Sequence, residues 1–164
     1  MPLPEATLPL TYRIPLTSFQ KGKKGKDREE HLKFSTNKIY AGTHWGKRKS
    51  IKDVIARHAE FFCRPAARIV SYPVEIRYRF CFVTRPLDTL NTAAMAKMFE
   101  DAFRALGILK EDSPAFVAKS VLEVVVADRP QKSKGAAGAS AQAHEKNEDH
   151  LIISIYPYAN SNRS

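Results

Sequence analysis

The stretch Val74-Glu-Ile-Arg-Tyr-Arg-Phe-Cys-Phe-Val83 decides the fold, because its residues alternate as those of a half-buried β-strand do. One face of this strand carries the apolar residues Val74, Ile76, Tyr78, Phe80 and Phe82. The other face carries the charged residues Glu75, Arg77 and Arg79. The alternation therefore predicts a strand with one face against the core.

Helical spacing of apolar residues flanks this strand on both sides. The first predicted helix begins at Trp45 or Arg48 and ends near Phe62. The second covers about residues 89–106, and Gly107 closes it. Its apolar stripe comprises Leu90, Ala94, Met98, Ala102 and Leu106.

Three further strands complete the predicted fold. Residues 8–16 contain prolines, which cannot occupy a central ladder, so this segment predicts an edge strand. Residues 117–127 and 151–156 predict two more strands, and the near-continuous apolar run at 121–126 predicts a central strand covered on both faces. The order β, loop, α, β, α, β, β predicts a single α+β domain, with a mixed sheet of about four strands packed by two main helices.

Length and composition agree with one globular domain. The chain has 164 residues, 43% apolar and 27% charged. No run approaches the ~18 consecutive apolar residues that a membrane span needs. Two cysteines without a CxxC pattern, Cys63 and Cys81, favour a reducing, cytoplasmic setting.

The net charge of +10 indicates attraction to polyanions, and it is concentrated in the first third of the chain. A Gly- and Lys-rich segment at 20–36 predicts a flexible basic loop, and a polar segment at 129–148 predicts a flexible insertion. The candidate nucleic-acid contacts are Lys21, Lys23, Lys24, Lys26, Asn37, Trp45, Lys47, Arg48 and Lys49. Trp45 could stack on a base, but partial burial in the core is the favoured interpretation. The alternative interpretation of these basic residues is structural: they would make a loop soluble and form the solvent-exposed start of a helix.

Polar residues near the second helix are the candidate site. Asp88 lies at a strand end and helix start, Lys97 and Asp101 lie on the helix, and Glu111 and Asp112 lie in the turn that follows. Each also has a structural interpretation, as a helix N-cap, a surface ion pair or an ordinary turn. At ~1.5 Å per residue, a helix of this length would place Asp88 and Asp112 at opposite ends. The two residues can share a site only if the segment after the helix folds back, or if a dimer partner supplies one of them.

Two segments of the chain resemble the RusA-like Holliday-junction resolvases. One consists of Leu87-Asp88-x-x-Asn91, Lys97, Asp101, Gly107-Ile108-Leu109, Asp112, Pro114 and Val117. It is similar to the run that carries the active site in that family. The other, Asn37-Lys-Ile-Tyr-Ala-Gly-Thr-His-Trp-Gly-Lys-Arg48, is similar to an N-terminal segment of phage members. The resemblance covers about residues 8–127.

The resemblance implies a dimeric, Mg²⁺-dependent endonuclease (Mn²⁺ is the other candidate ion) that cuts four-way DNA junctions and is encoded by a phage or prophage. It implies that Asp88 and Asp112 bind the metal through carboxylate oxygens, which Mg²⁺ prefers. It also implies that Lys97 helps to hold the scissile phosphate or to stabilise developing charge, with Asn91 and Asp101 in support. A metal-bound water would be the nucleophile.

The chain departs from the family at Leu90, which stands where the family has a second aspartate. Either Glu111 or Asp101 supplies the missing carboxylate, or the metal binds weakly, or only DNA binding remains. The leading hypothesis is therefore an endonuclease that resolves branched DNA. The alternative is a RusA-like protein that binds DNA without cutting it, and a third hypothesis is an RNA-binding or ribosome-associated protein.

Overall fold

The computed structural model describes residues 3–21, 27–32, 34, 45–64, 66–83, 86–126 and 148–159. These residues form one small α+β domain, as predicted. Its elements in chain order are β1 Leu10–Pro15, β2 Thr17–Lys21, β3 Asp27–His31, α1 Trp45–Phe62, β4 Val74–Phe82, α2 Thr89–Ala105, β5 Val117–Val126 and β6 His150–Pro157.

Four of the strands form a mixed sheet in the order β1-β6-β4-β5. β1 and β4 both pair antiparallel with β6, whereas β5 pairs parallel with β4. The strand with prolines, β1, lies at an edge, as predicted from the missing N–H donors.

The core lies against one face of this sheet. The buried residues of β1, β4 and β6 on that face are Tyr12, Ile14, Val74, Ile76, Tyr78, Phe80, Phe82, Leu151, Ile153 and Ile155. The buried residues of α1 and α2 belong to the same core, so both helices cover this face. Each large apolar side chain buried here contributes roughly 1.5–3 kcal/mol.

The opposite face of the sheet, called the open face below, carries charged side chains. Arg77 and Arg79 of β4 are 57% and 54% exposed. Arg77 also lies over the ring of Tyr156, with 5.0 Å between the guanidinium carbon and the ring centroid. The alternation of β4 thus separates a buried face from a charged one, as predicted.

The prediction of a central strand at 121–126 was wrong, because β5 is an edge strand. Its residues are partly or fully exposed, and Val126 is 57% exposed. A near-continuous apolar run indicates that both faces of a strand are largely apolar, but it does not indicate how many neighbouring strands it has. β5 has one partner strand, β4, within the described ranges.

The prediction of a loop over 20–36 was also wrong in part. Residues 27–31 form β3, which pairs antiparallel with β2 in a separate two-stranded sheet. The sequence Asp-Arg-Glu-Glu-His has no apolar alternation, so its strand conformation follows from pairing with β2. Just after it, Leu32 and Phe34 are buried.

The predicted insertion at 129–148 falls outside the described residues except for Glu148, whose side chain accepts a hydrogen bond from Thr17 Oγ1 at 3.1 Å. None of the helices in the described ranges is long and apolar enough to cross a membrane.

The helices agree with their predicted bounds, with one error in the apolar stripe of α2. Ala94, Met98 and Ala102 are buried, but Leu90 is 84% exposed. Burial in α2 begins at Thr92, so the first turn of the helix lies beyond the packed surface. The family's second aspartate would therefore lie at a solvent-facing position in this chain.

Candidate nucleic-acid interface and carboxylate cluster

Asp88 is the N-cap of α2. Its Oδ1 accepts a hydrogen bond from the backbone N–H of Asn91 at 2.8 Å, and its Oδ2 accepts one from Asn91 Nδ2 at 2.7 Å. The carboxylate therefore satisfies one backbone N–H of the first turn that would otherwise lack a partner. The predicted role of Asp88 as a helix N-cap is confirmed, with Asn91 as the partner of its side chain.

A turn at Gly107 folds the chain back along α2. Gly107 has a φ of 75°, in the left-handed region that favours glycine. Its N–H donates to Arg104 O at 3.0 Å, and the N–H of Ile108 donates to Phe103 O at 2.9 Å, which is the Schellman pattern. The return segment therefore folds back, one of the two arrangements that the sequence left open.

This return brings Asp112 against the middle of α2. Its carboxylate accepts a hydrogen bond from Lys97 Nζ and lies 3.2 Å from Arg104 Nη1. Lys97 is nine residues beyond Asp88, about 14 Å along the helix axis. The structure thus joins two of the three predicted catalytic residues and leaves Asp88 apart from them.

Lys97 is surrounded by acidic groups. Its Nζ lies 3.3 Å from Glu100 Oε1 and 3.5 Å from Asp101 Oδ1, in addition to its contact with Asp112. Asp101 also pairs with Lys52 of α1 at 3.2 Å. We call Lys97, Glu100, Asp101 and Asp112 the Lys97 cluster.

Glu100 was missed by the sequence interpretation. It is largely buried, and its Oε2 accepts a hydrogen bond from Tyr78 Oη at 3.2 Å beneath the helix. The sequence did contain a signal for Glu100, because it is a glutamate on the buried side of an amphipathic helix. A buried carboxylate needs a hydrogen-bond or charged partner. Glu100 therefore ties the Lys97 cluster to the core strand β4.

The ion pairs of the cluster shift two pKa values in opposite directions. The hydrogen bond from Lys97 lowers the pKa of Asp112, and the nearby Arg104 lowers it further. Desolvation opposes the charged form of Lys97, but the hydrogen bond to Asp112 and the charges of Glu100 and Asp101 together raise the pKa of Lys97. Both groups are therefore held in their charged forms at neutral pH.

The cluster does not fit a magnesium site as it stands. Lys97, Lys52 and Arg104 already balance its three carboxylates, and an isolated cation site needs excess negative charge. Across the described residues, no three or more His, Cys, Asp or Glu side chains are grouped so that they could hold a metal ion. Asp88 and Asp112 do not meet within one chain, and Glu111 is exposed beside Asp112.

The N-terminal end of α1 is basic and exposed. Lys47, Arg48 and Lys49 are exposed, and the first turn carries no acidic residue. Trp45 is 70% exposed, so the favoured interpretation of a partly buried Trp was wrong. It lies about 80° around the helix axis from Ile55, the middle residue of the buried stripe Ile51, Ile55 and Ala59. We call these four residues at 45 and 47–49 the basic end of α1.

One of the remaining predicted contacts lies within the described residues. Lys21 is the last residue of β2, and its side chain is not described. Lys23, Lys24, Lys26 and Asn37 lie outside the described residues. The first predicted basic run therefore stays a prediction.

No protein-family model and no curated protein matches this sequence. The resemblance to the RusA-like resolvases therefore rests on the residues quoted above.

Proposed function

We propose that this protein binds nucleic acid through the basic end of α1, and that its ligand is branched DNA. The observation that carries the proposal is the exposed Trp45 beside three consecutive exposed cations at residues 47–49. Phosphates neutralise such cations with release of counterions, and an exposed aromatic ring offers a stacking surface for a base.

The position of these cations supports a ligand role. The N-terminus of a helix carries a partial positive charge, so each cation in the first turn destabilises the helix by about 0.3–1 kcal/mol. A bound phosphate reverses the sign of this interaction, since the same helix end attracts anions. The charges at 47–49 therefore suit a polyanion better than they suit the isolated helix.

Branched DNA is the substrate class that the RusA-like resemblance implies, and a two-fold dimer would suit a four-way junction. The cysteine usage supports a cytoplasmic setting in this proposal, and the same resemblance supports a bacterial cell and a phage or prophage origin. RNA is the competing ligand, since charge does not separate the two.

Resolution of the junction by hydrolysis is the second candidate function. The contact between Lys97 and Asp112 favours it, because these two residues come from distant parts of the predicted active-site run. A Mg²⁺ or Mn²⁺ site would need a carboxylate besides those that Lys97, Lys52 and Arg104 neutralise. We therefore rank binding before cutting.

The binding experiment measures fluorescence anisotropy of a labelled four-way junction, a duplex and a single strand, with structured RNA as competitor. We expect the junction to bind most tightly and Trp45→Ala to weaken binding. Phe61→Ala is the matched control, since Phe61 is an equally exposed aromatic (74%) at the other end of α1. Equal binding of wild type and Trp45→Ala, or preference for RNA, would contradict the proposal.

The cleavage experiment incubates the same junction with Mg²⁺ or Mn²⁺. Wild type, Asp112→Asn and Leu90→Asp are compared, the last restoring the carboxylate that the family has at that exposed position. Binding without product in wild type supports the first candidate. Hydrolysis is supported if wild type and Glu123→Gln both cleave the junction and Asp112→Asn does not. Glu123→Gln is the control because Glu123 is a carboxylate on the open face.

A further inference from the structure

The open face of the sheet carries more cations than carboxylates among the described residues. Its exposed cations belong to three of the four strands and are Arg13 of β1, Arg77 and Arg79 of β4, and Lys119 of β5. The three side chains on β4 and β5 are 51–57% exposed. The carboxylates on this face are Glu75 and Glu123. The excess of positive charge attracts an anionic ligand.

These cations follow a diagonal line across the sheet. Lys119 of β5 lies beside Glu75, near the start of β4. Arg79 and Arg13 lie four residues further along the strands, on either side of Ile152. At ~3.3 Å per residue and ~4.8 Å per strand, the line from Lys119 to Arg13 is about 20 Å long. A stacked single strand has one phosphate per ~3.4 Å, so this line matches about six nucleotides, which is within the site sizes of single-strand-binding folds.

A groove of about 310 Å³ runs between these cations, and its lining includes the ring of Tyr156. The side chain of Glu75 in this groove is only 11% exposed. It lies 2.6 Å from Arg77 Nε and 3.2 Å from Lys119 Nζ. Both cations therefore have defined positions before a ligand arrives, and this lowers the entropy cost of binding.

Arg77 and Tyr156 together form a stacking platform in the groove. The guanidinium of Arg77 lies over the ring of Tyr156. Nucleic-acid bases stack on aromatic rings and on guanidinium planes. Of the five N–H donors of a guanidinium, the contact with Glu75 uses the one on Nε, so the Nη groups are the ones that can meet a phosphate.

We propose that the open face binds an unpaired nucleic-acid strand, with a base on the platform of Arg77 and Tyr156 and phosphates on the surrounding cations. In a duplex, neighbouring base pairs cover the faces of each base, so this platform favours an unpaired strand. Both helices cover the opposite face of the sheet, so the open face is a separate surface from the basic end of α1. The inference rests on the open face alone, and it can fail without the proposed binding of branched DNA, or the reverse.

Two single strands of equal length separate stacking from charge. One is a labelled oligothymidine, and the other is an abasic strand with the same phosphates. In anisotropy titrations of the full chain, we expect Tyr156→Leu to weaken binding of oligothymidine about tenfold and to leave binding of the abasic strand unchanged. Phe61→Leu, which removes an exposed aromatic ring from α1, is the control and should bind both strands as wild type does.

A double variant tests the cations. Arg79→Gln/Lys119→Gln removes two exposed cations from the open face. We expect it to weaken binding of both strands and to reduce the slope of log K against log salt by up to about 1.4, since each phosphate contact of a single strand contributes about −0.7. Arg57→Gln/Arg64→Gln lowers the net charge equally on α1 and should change this slope by a few tenths at most.

Photo-cross-linking of the wild-type chain shows which surface the strand occupies, and it needs no substitution that could disturb folding. A single strand that carries iodouracil should cross-link to the peptide containing Tyr156, identified by mass spectrometry, and should do so equally in Trp45→Ala. Loss of junction binding in Trp45→Ala concerns the basic end of α1 and leaves this map unchanged.

Three results would overturn the inference. The first is cross-linking confined to Trp45. The second is equal weakening of oligothymidine and the abasic strand by Tyr156→Leu. The third is displacement of oligothymidine by polyglutamate as readily as by unlabelled oligothymidine, since the open face would then bind an acidic polypeptide as well as it binds a nucleic-acid strand.

Discussion

Glu100 connects the charged surface of α2 to the core, and its hydrogen bond to Tyr78 can be tested alone. Tyr78 is 1% exposed, and its hydroxyl donates to Glu100 Oε2. We expect Tyr78→Phe to lower the free energy of unfolding by about 2 kcal/mol, because a buried carboxylate oxygen loses a donor. Urea denaturation measures this. Tyr156→Phe, on the open face, should change stability by less than about 0.5 kcal/mol; equal losses would contradict the assignment.

Asp112 makes stability depend on pH in a defined direction. Its pKa is lowered in the folded protein, so its contribution is complete above the unfolded value of about 3.9 and is lost as pH falls through the folded value. We therefore expect Asp112→Asn to show a shallower loss of unfolding free energy between about pH 5 and pH 2 than wild type.

The control for Asp112→Asn is Glu111→Gln, because Glu111 is the exposed neighbouring acid and forms no ion pair within the described residues. Unfolding by urea at a series of pH values gives both slopes. If Glu111→Gln flattens the acid limb as much as Asp112→Asn does, the ion pairs with Lys97 and Arg104 are not its cause.

Single residues show where sequence reasoning succeeded and failed. The pairing of Lys97 with Asp101 and the φ of Gly107 were predictable, because both follow from local spacing along one helix. The exposure of Trp45 was not, since a lone aromatic carries no period of its own. Glu100 also could not be assigned without Tyr78, which is 22 residues away in sequence.

At the scale of one element, α2 depends on its cap. Asn is as good an N-cap as Asp, whereas Ala is poor. We expect Asp88→Ala to lower the free energy of unfolding by about 1 kcal/mol and Asp88→Asn to leave it within a few tenths of a kcal/mol, both measured by urea denaturation.

The two Asp88 variants also separate the cap from a catalytic role. If Asp88→Asn keeps stability but loses junction cleavage, the carboxylate has a function beyond the helix. If Asp88→Ala is as stable as wild type, the hydrogen bonds to Asn91 do not stabilise α2 and the cap assignment is wrong.

The helices and most strands were predictable because each has its own period. β5 and β3 were not. The placement of β5 at the edge depends on which strand pairs with β4 on each side, and the polar β3 depends on β2. The edge position of β5 and the strand conformation of β3 both depend on contacts between segments, and the local sequence pattern does not reveal such contacts.

At the scale of the whole molecule, charge is asymmetric, and its effect on binding can be counted. Each phosphate contact contributes about −0.9 to the slope of log K against log salt for duplex DNA. We expect the double variant Lys47→Gln/Lys49→Gln to reduce this slope by up to about two, while the order of preference among junction, duplex and single strand persists. Anisotropy titrations at several salt concentrations measure it.

The matched control removes the same number of charges from the other end of α1. Arg57→Gln/Arg64→Gln lowers the net charge of the chain equally but leaves the basic end of α1 intact. If phosphates contact the basic end, only the first double variant changes the slope by more than a few tenths. If both change it equally, the net charge of +10 attracts DNA without a defined contact surface, and the proposed interface on α1 is wrong.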